Sequence, residues 1–217
     1  MAKVKKKTVI RKKIWLPLVA TDFFNKAHLG EAYLYEPQEA VGKHVSANLA
    51  MLTRDPKKQN VNVTFLVTHI AENKGMTRLI KYLIIPSSMK RLVRRNKSKV
   101  TDSFVAISAN GEKLRVKPVL TTRSQGNKSV ETALRMGMRA YIIKLLRKTK
   151  TDDFFTMIVL SKLQKEASLI LKKIFPLAIC EIRCLEILKD DEGTVITPAP
   201  AEPAEKTEEE TPEQINA

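Results

Sequence analysis

Alternation of apolar and polar residues marks the first half of the chain. From Val61 to Val67 every second residue is Val or Phe, and mostly polar residues stand between them. This period of two predicts a strand with one buried face. A second apolar run, over residues 76–85, follows a turn that we expect at Lys74-Gly75.

A hairpin is predicted farther along the chain. Two alternating runs, Phe104–Ser108 and Lys113–Leu120, flank the dipeptide Asn110-Gly111, and Asn-Gly between such runs is the strongest short hairpin signal. In the second run Leu114 and Val116 alternate with three cations. We therefore expect an outward cationic row next to the preceding basic segment, formed by Lys113, Arg115 and Lys117.

Helical periodicity dominates the second half. The longest helix is predicted over residues 128–148, with cations opposite its apolar face. The apolar face comprises Val130, Leu134, Met138, Tyr141 and Leu145, and the cations are Lys128, Arg135 and Arg139. A second helical stretch covers roughly 152–174 and breaks near Ser161–Leu163, and a last strand spans 177–188.

These elements predict an α+β fold in three parts. Residues 1–13 carry seven bases and no acid and form a basic N-terminal extension. Residues 14–189 form a single α+β domain. Residues 190–217 are rich in Pro, Ala, Thr and Glu and form an acidic tail that we expect to be disordered.

Charge narrows the class of partner. The chain of 217 residues has a net charge of +16, but residues 1–189 contain 38 bases and 14 acids, which makes +24, whereas the tail has nine acids and one base. Residues 1–189 are so basic that they need an anionic partner, which can be nucleic acid, an acidic protein or an anionic membrane. The apolar runs are too short to span a bilayer, and no signal-peptide core follows the basic N-terminus, so we expect a cytoplasmic protein without a membrane partner.

The basic segment that most strongly indicates a binding site is residues 89–100, MKRLVRRNKSKV. As a helix it would place Met89, Leu92 and Val93 on one side and rows of cations at i,i+4 spacing on the other. Like charges at that spacing repel by about 0.2–0.5 kcal/mol per pair. A solvated charged face would usually mix both signs, but no acid occurs between Glu72 and Asp102. The segment therefore favours a polyanion site.

Catalytic chemistry has no visible basis in the sequence. The histidines and glycines form no known catalytic or nucleotide-binding motif, and Asp152-Asp153 is typical of a helix N-cap and its neighbour. Cys180 and Cys184 are four residues apart in an alternating segment, so we expect buried thiols on one face of a strand, with no metal. We predict no enzymatic activity and no cofactor.

RNA binding is the function that the basic segments favour. Side chains of a cationic strand contact phosphates and position the protein without reading sequence, and the polar loop 121–128 adds further donors. The signatures of the common modular RNA readers are absent, so we expect recognition of structured RNA through backbone and shape. The candidate contacts are Lys90, Arg91, Arg94, Arg95, Lys97, Lys99, Lys113, Arg115, Lys117, Arg123, Lys128, Arg135 and Arg139.

The order of these motifs resembles a ribosomal protein family. The runs KKIW, DFF, GEAYLYEPQEAVGKHVSANLAMLT, MKRLVRRNKSKV, NGEKLRVKPV and IFPLAICEIRCLEIL occur in one order across about residues 12–189. They are similar to the archaeal and eukaryotic small-subunit protein family called S-three-A, or eukaryotic-type S-one, in its shorter archaeal form.

The resemblance implies a β-barrel-like core flanked by helices and no enzymatic activity. It also implies a structural constituent of the small ribosomal subunit that binds rRNA and neighbouring ribosomal proteins on the platform near the mRNA exit. Messenger RNA and initiation factors would then be within reach. The alternative is a free RNA-binding translation accessory factor or regulator.

Overall fold

The alternating segments form one mixed sheet in the computed structural model, which describes residues 12–188. Within this range nine strands contribute: β1 (Ile14–Val19), β2 (His28–Leu34), β3 (His44–Asn48), β4 (Val61–Ala71), β5 (Lys74–Ile84), β6 (Lys99–Thr101), β7 (Phe104–Ile107), β8 (Lys113–Thr122) and β9 (Leu177–Ile187). The acidic tail and nearly all of the basic extension lie outside the described residues.

The two longest strand pairs form the centre of the sheet. β5 pairs antiparallel with β4, which in turn pairs with β3. On its other side β5 pairs in parallel with β1 near its start and antiparallel with β9 near its end. β9 then pairs along β8, which carries β7 and β6 on its far edge, and β2 pairs with β1.

Two short helices lie between strands, and three longer ones precede the last strand. They are α1 (Leu49–Thr53), α2 (Pro86–Leu92), α3 (Lys128–Leu146), α4 (Thr151–Val159) and α5 (Lys162–Leu171), with short 3-10 turns at Asp22–Phe24, Pro37–Ala40 and Pro56–Lys58. The break between α4 and α5 lies at Leu160–Ser161, where Ser161 takes a left-handed φ of 57°. The α+β class is confirmed.

Alternation determines which residues reach the core. In β4 the predicted apolar positions are buried, and Phe65 is fully buried. A main core joins the sheet to α3, α4 and α5 and contains Phe154 and Phe155. A smaller core under β1 and β2 contains Leu16, Leu18 and Val67 among others.

The turn before β5 comes earlier than predicted. Glu72 and Asn73 form it with left-handed φ values of 52° and 55°, and Lys74-Gly75 already belongs to the strand. Gly75 leaves room for a side chain of β1. A Cβ on Gly75 would lie 2.5 Å from Cδ2 of Leu18 on the neighbouring parallel strand, so a larger residue would displace the Leu18 side chain.

The N-terminal turn of α4 differs from the prediction in one detail. Lys150 occupies the N-cap, and Asp152 and Asp153 lie in the first turn of the helix. Their carboxylates there interact favourably with the positive end of the helix dipole. The pair thus stabilises the helix start without acting as its cap.

The two cysteines are buried and free, but they do not share a face. Lys117 of β8 pairs with Cys184, and the next residue, Pro118, pairs with Ile182, so β9 carries one extra residue at Arg183. This β-bulge reverses the alternation. Cys180 therefore packs in the main core, whereas Cys184 lies on the opposite face, beside Lys117.

We expect both thiols to react slowly with iodoacetamide in the native protein. Burial raises the pKa of Cys180 to about 12 and also raises the pKa of Cys184, so the reactive thiolate is scarce near neutral pH. Labelling followed by mass spectrometry, in buffer and in urea, measures the difference. Equal rates in the two conditions, or stoichiometric zinc in the purified protein, would contradict the assignment of inert thiols.

Candidate nucleic-acid interface

Helix α2 directs its apolar residues to the core and its cations to solvent. It begins at Pro86, a residue favoured at the first helical position because its missing N–H needs no partner there. Met89 is 5% exposed and Leu92 packs against the main core. Lys90 and Arg91 are exposed in the last turn. The predicted division between an apolar and a charged side is confirmed for this part of the segment.

The helix predicted over residues 89–100 is wrong beyond Leu92. Val93 is extended, with φ −98° and ψ 115°, and Asn96 takes a left-handed φ of 59°. Arg94 and Arg95 therefore follow the helix instead of continuing its face. Ending the helix here avoids the like-charge i,i+4 pairs that the longer helix would impose.

Buried hydrogen bonds hold the end of the basic segment against the loop that precedes α3. The Ser98 N–H donates to Oγ1 of Thr122 at 2.9 Å, and the Thr122 N–H donates to the Ser98 carbonyl at 3.0 Å. The Gly126 N–H donates to Oγ of Ser98 at 3.2 Å. Ser98 and Thr122 are both buried. We name these three residues the Ser98–Thr122 clamp, because they fix residues 97–99 beside the end of β8 and the loop 123–127.

Cations flank the Ser98–Thr122 clamp on both of its segments. Lys97 and Lys99 adjoin Ser98, Arg123 follows Thr122, and Lys128 begins α3. Together with the cations of α2 and its following turn they form the basic strip, defined as Lys90, Arg91, Arg94, Arg95, Lys97, Lys99, Arg123 and Lys128. Lys97 is half-buried and the other seven are exposed. Within residues 12–188, none of the eight has an ion-pair partner.

The cationic row of β8 has the predicted alternation. Leu114 and Val116 are fully buried, and Lys113, Arg115 and Lys117 are half-buried on the other face. Arg115 lies opposite Glu186 in β9, and Nζ of Lys81 is 3.1 Å from Oε1 of the same carboxylate. The row is thus partly balanced by an acid, unlike the basic strip.

The row is also displaced from the basic segment. It lies along the part of β8 that pairs with β7, whereas Lys99 in β6 pairs with Thr121. Lys117 and Thr121 are four positions apart, or about 13 Å along the strand. The register thus places the row at about this distance from Lys99, at the end of the basic segment.

The arginines of α3 do not face solvent as predicted. Nε and Nη2 of Arg139 donate to Asp102 at 2.9 and 2.7 Å, and the guanidinium lies 5.5 Å from the centre of the Phe104 ring. The hydrogen bonds to Asp102 raise the pKa of Arg139. Arg135 is half-buried, and its buried Nε has no hydrogen-bond partner in the part of the chain that the structure describes. Arg139 therefore joins α3 to the loop between β6 and β7.

An ion-pair network that the sequence analysis missed lies around Arg78. The guanidinium donates to both carboxylate oxygens of Glu112 at 2.6 and 3.0 Å and to Oδ1 of Asp152 at 3.3 Å. It links β5, the β7–β8 loop and α4. Residues 34 and 74 positions away in the chain supply the partners, so no local pattern could have predicted them.

We expect the Arg78–Glu112 pair to add a pH-dependent stability increment of about 1 kcal/mol. The hydrogen bonds from Arg78 lower the pKa of Glu112 below its ordinary value. The increment is therefore present above the unfolded pKa of about 4.3 and is lost as the pH falls through the lower folded value. Urea unfolding between neutral and acidic pH, with Glu112→Gln as the comparison, measures it. An identical acid dependence in the two proteins would contradict it.

Metal sites and membrane-spanning helices are not found over the same range. Among residues 12–188 no group of three or more His, Cys, Asp or Glu side chains could hold a metal ion. None of the helices there combines the length and the apolar character needed to cross a bilayer.

Comparison with known proteins gives consistent results. The model of the ribosomal S3Ae family matches residues 1–191. The chain is 32% identical to small ribosomal subunit protein eS1 of Archaeoglobus fulgidus over 203 residues, which cover 93% of this chain and 95% of the relative. It is 31% identical to the protein of the same name from Nanoarchaeum equitans, over 81% of this chain and 89% of the relative. A third relative of that name, from Halorubrum lacusprofundi, is 30% identical over 81% of each chain.

Proposed function

Because the chain belongs to the ribosomal S3Ae family, we propose that it binds rRNA through the basic strip. Membership in this family makes it a structural, non-enzymatic constituent of the small ribosomal subunit that acts in translation. The subunit's rRNA and other ribosomal proteins are accordingly its partners, and its location is the cytoplasmic ribosome. The proposal adds which surface of the chain meets the RNA.

The lack of ion pairs at the basic strip, within residues 12–188, carries this proposal. Eight cations lie on two segments joined by the buried Ser98–Thr122 clamp, and none has an acidic partner within residues 12–188. Each phosphate that such cations neutralise releases condensed counterions, which is the main source of affinity in nucleic-acid complexes. A clamp that holds the two segments in register also reduces the ordering cost of binding.

The half-buried β8 row is a second, weaker contact surface in this proposal. Glu186 lies opposite Arg115 and pairs with Lys81. Because this acid already partly balances the cations, a phosphate bound there would add less binding free energy than one at the basic strip. Arg135 and Arg139 would contribute least to RNA binding. Arg135 is half-buried, and Arg139 is already bonded to Asp102. The thirteen candidate residues thus divide into eight primary contacts, three secondary contacts and two residues, Arg135 and Arg139, that the proposal leaves out of the interface.

The position within the subunit belongs to the same proposal. The family resemblance supports a site on the platform near the mRNA exit, where neighbouring ribosomal proteins, mRNA and initiation factors are within reach. Residues 14–189 would act there as one α+β domain. The basic extension and the acidic tail would act as appendages of that domain.

Sedimentation tests the proposal directly. A lysate is fractionated on sucrose gradients at moderate and at high salt, and the protein is detected by antibody. We expect stoichiometric retention with the small subunit that resists high salt, because many contacts act together in the particle. Protein that stays at the top of the gradient, or that leaves the subunit at moderate salt, would favour the free RNA-binding factor instead.

A further inference from the structure

The β1–β2 pair carries an aromatic surface that the basic strip does not explain. Trp15 and Tyr33 are partners in the strand register, and their ring centres are 4.6 Å apart at an angle of 31°. Tyr35 directly follows the end of β2, and Lys13 contacts both its ring and that of Tyr33. Trp15 is 64% exposed, Tyr33 50% and Tyr35 47%. Three large rings thus lie together in solvent, although aromatic residues make up only 6% of the chain.

The opposite face of the same strands accounts for the packing of this part of the fold. Leu16, Leu18 and Leu34 point into the smaller core and are nearly fully buried. The core therefore makes no use of Trp15, Tyr33 or Tyr35. An exposed group of this size usually marks an interaction site.

Positive charge lies directly on these rings. Nζ of Lys13 is 5.1 Å from the centre of the Tyr33 ring and 4.8 Å from that of the Tyr35 ring, which is within the range of a cation–π contact. Lys13 also ends the segment of residues 1–13, which has seven bases and no acid. The exposed acids beside this surface are Glu31, which lies on this face of β2, and Glu36, which directly follows Tyr35.

We propose that Lys13, Trp15, Tyr33 and Tyr35 form a stacking platform for unpaired bases of a single-stranded RNA segment. Exposed rings combined with cations that follow the backbone are the features by which proteins bind single strands without reading sequence. A duplex keeps its bases stacked on one another and leaves no base face for the rings. Lys13 would then turn from the rings toward a phosphate of the bound strand.

The charge distribution favours RNA over a protein partner. Tyr and Trp are also common at protein interfaces, but those interfaces have an apolar centre depleted in Lys. Here Lys13 lies over the rings themselves, and the basic segment enters at the same point of the chain. The inference rests on the proposed function, since it assigns a second RNA contact to the same ribosomal protein.

The chain supplies its own reporter for a test, because Trp15 is its single tryptophan. The full-length protein is titrated with an unstructured oligo(A) strand of about 12 nucleotides, within the usual site size of single-strand binders. We expect oligo(A) to quench the fluorescence of Trp15 by stacking. Inorganic polyphosphate, which has charge but no bases, and a duplex RNA of the same length should leave it unquenched.

Variants test whether the aromatic rings supply the affinity for single-stranded RNA. Binding of a labelled oligo(A) strand to Tyr33→Leu/Tyr35→Leu should weaken about 5- to 140-fold for each stacked base that is lost. Tyr33→Phe/Tyr35→Phe should bind as the wild type does, because it keeps both rings. Met51→Ala is the matched control, since Met51 is 81% exposed on another part of the surface and its loss should change nothing.

Failure of this inference is distinguishable from failure of the proposed function. If labelled oligo(A) binds but Trp15 is not quenched and the leucine variant binds equally well, the platform is refuted and rRNA binding elsewhere stands. If the leucine variant binds oligo(A) normally but no longer joins the small subunit, the surface is a protein interface and the platform is again refuted. If the full-length protein binds no RNA and does not sediment with the subunit, the proposed function fails as well.

Discussion

Replacing Arg94 and Arg95 with alanine should weaken binding to small-subunit rRNA by about 10- to 30-fold near 0.15 M salt. Both side chains are exposed, follow the end of α2 and have no ion-pair partner within residues 12–188. Each lost phosphate contact should also reduce the slope of log K against log salt by about 0.7–0.9. The slope of the double variant should therefore fall by roughly 1.4–1.8.

The same variant should keep its stability. Met89 and Leu92 anchor α2 in the main core and are unchanged, so we expect a melting temperature close to that of the wild type. Lys43→Ala/Lys74→Ala is the matched control, because it removes two exposed cations at the starts of β3 and β5, outside the basic strip. An unchanged rRNA affinity in the Arg94/Arg95 variant, or an equal loss in the control, would exclude a specific contact at this turn.

Asp102→Ala should have the largest effect on stability, about 2–4 kcal/mol, which lowers the melting temperature by roughly 5–15 °C. The substitution leaves the guanidinium of Arg139 without its bidentate partner. The Asp102 side chain is only 9% exposed and that of Arg139 27%, so water replaces the lost interaction incompletely. The cost is below the ~3–5 kcal/mol of a fully buried pair because part of Arg139 remains solvated.

A double-mutant cycle separates the pair from the packing around it. Arg139→Met/Asp102→Ala removes both charges and keeps an aliphatic side chain over Phe104, so it should recover a substantial part of the stability lost in Asp102→Ala. Denaturant unfolding of the four proteins gives the coupling energy. If the double variant were as unstable as the sum of the two single variants, the ion pair would have no part in joining α3 to the loop before β7.

The basic segment illustrates how far local sequence can predict a structure. The apolar spacing of Met89 and Leu92 predicted a helix and the face that it buries, and both are present. The helix end was missed because it depends on Asn96 turning left-handed and on Ser98 bonding to Thr122, 24 residues later. A long-range hydrogen bond of this kind leaves no periodic signal in its own segment.

The cysteines show that strand periodicity, too, cannot predict structure that depends on distant residues. Period two correctly indicated a buried strand over residues 177–188. It placed Cys180 and Cys184 on one face because it assumed regular pairing. The bulge at Arg183 arises from the register against β8, and that register depends on a strand about 65 residues earlier in the chain.

The sequence could have predicted the aromatic surface of Trp15, Tyr33 and Tyr35. Trp15 alternates with Leu16, and Tyr33 and Tyr35 alternate with Leu34, so each segment by itself indicates one apolar and one aromatic face. Only the pairing of β1 with β2 brings Trp15 against Tyr33. Because aromatic residues make up only 6% of the chain, the three that lie close together after folding were overlooked.

The sequence by itself determined the α+β class, the basic character of the body and the ribosomal family. These properties depend on hydrophobic period, on net charge and on ordered motifs, which are all local or additive along the chain. The tertiary structure decided which cations remain available to a partner. Arg139 is bound to Asp102 and Arg78 to Glu112, whereas the basic strip has no acidic partner within residues 12–188. Ion pairs form between residues that folding brings together, so the division between paired and unpaired cations appears only when the strand register is known.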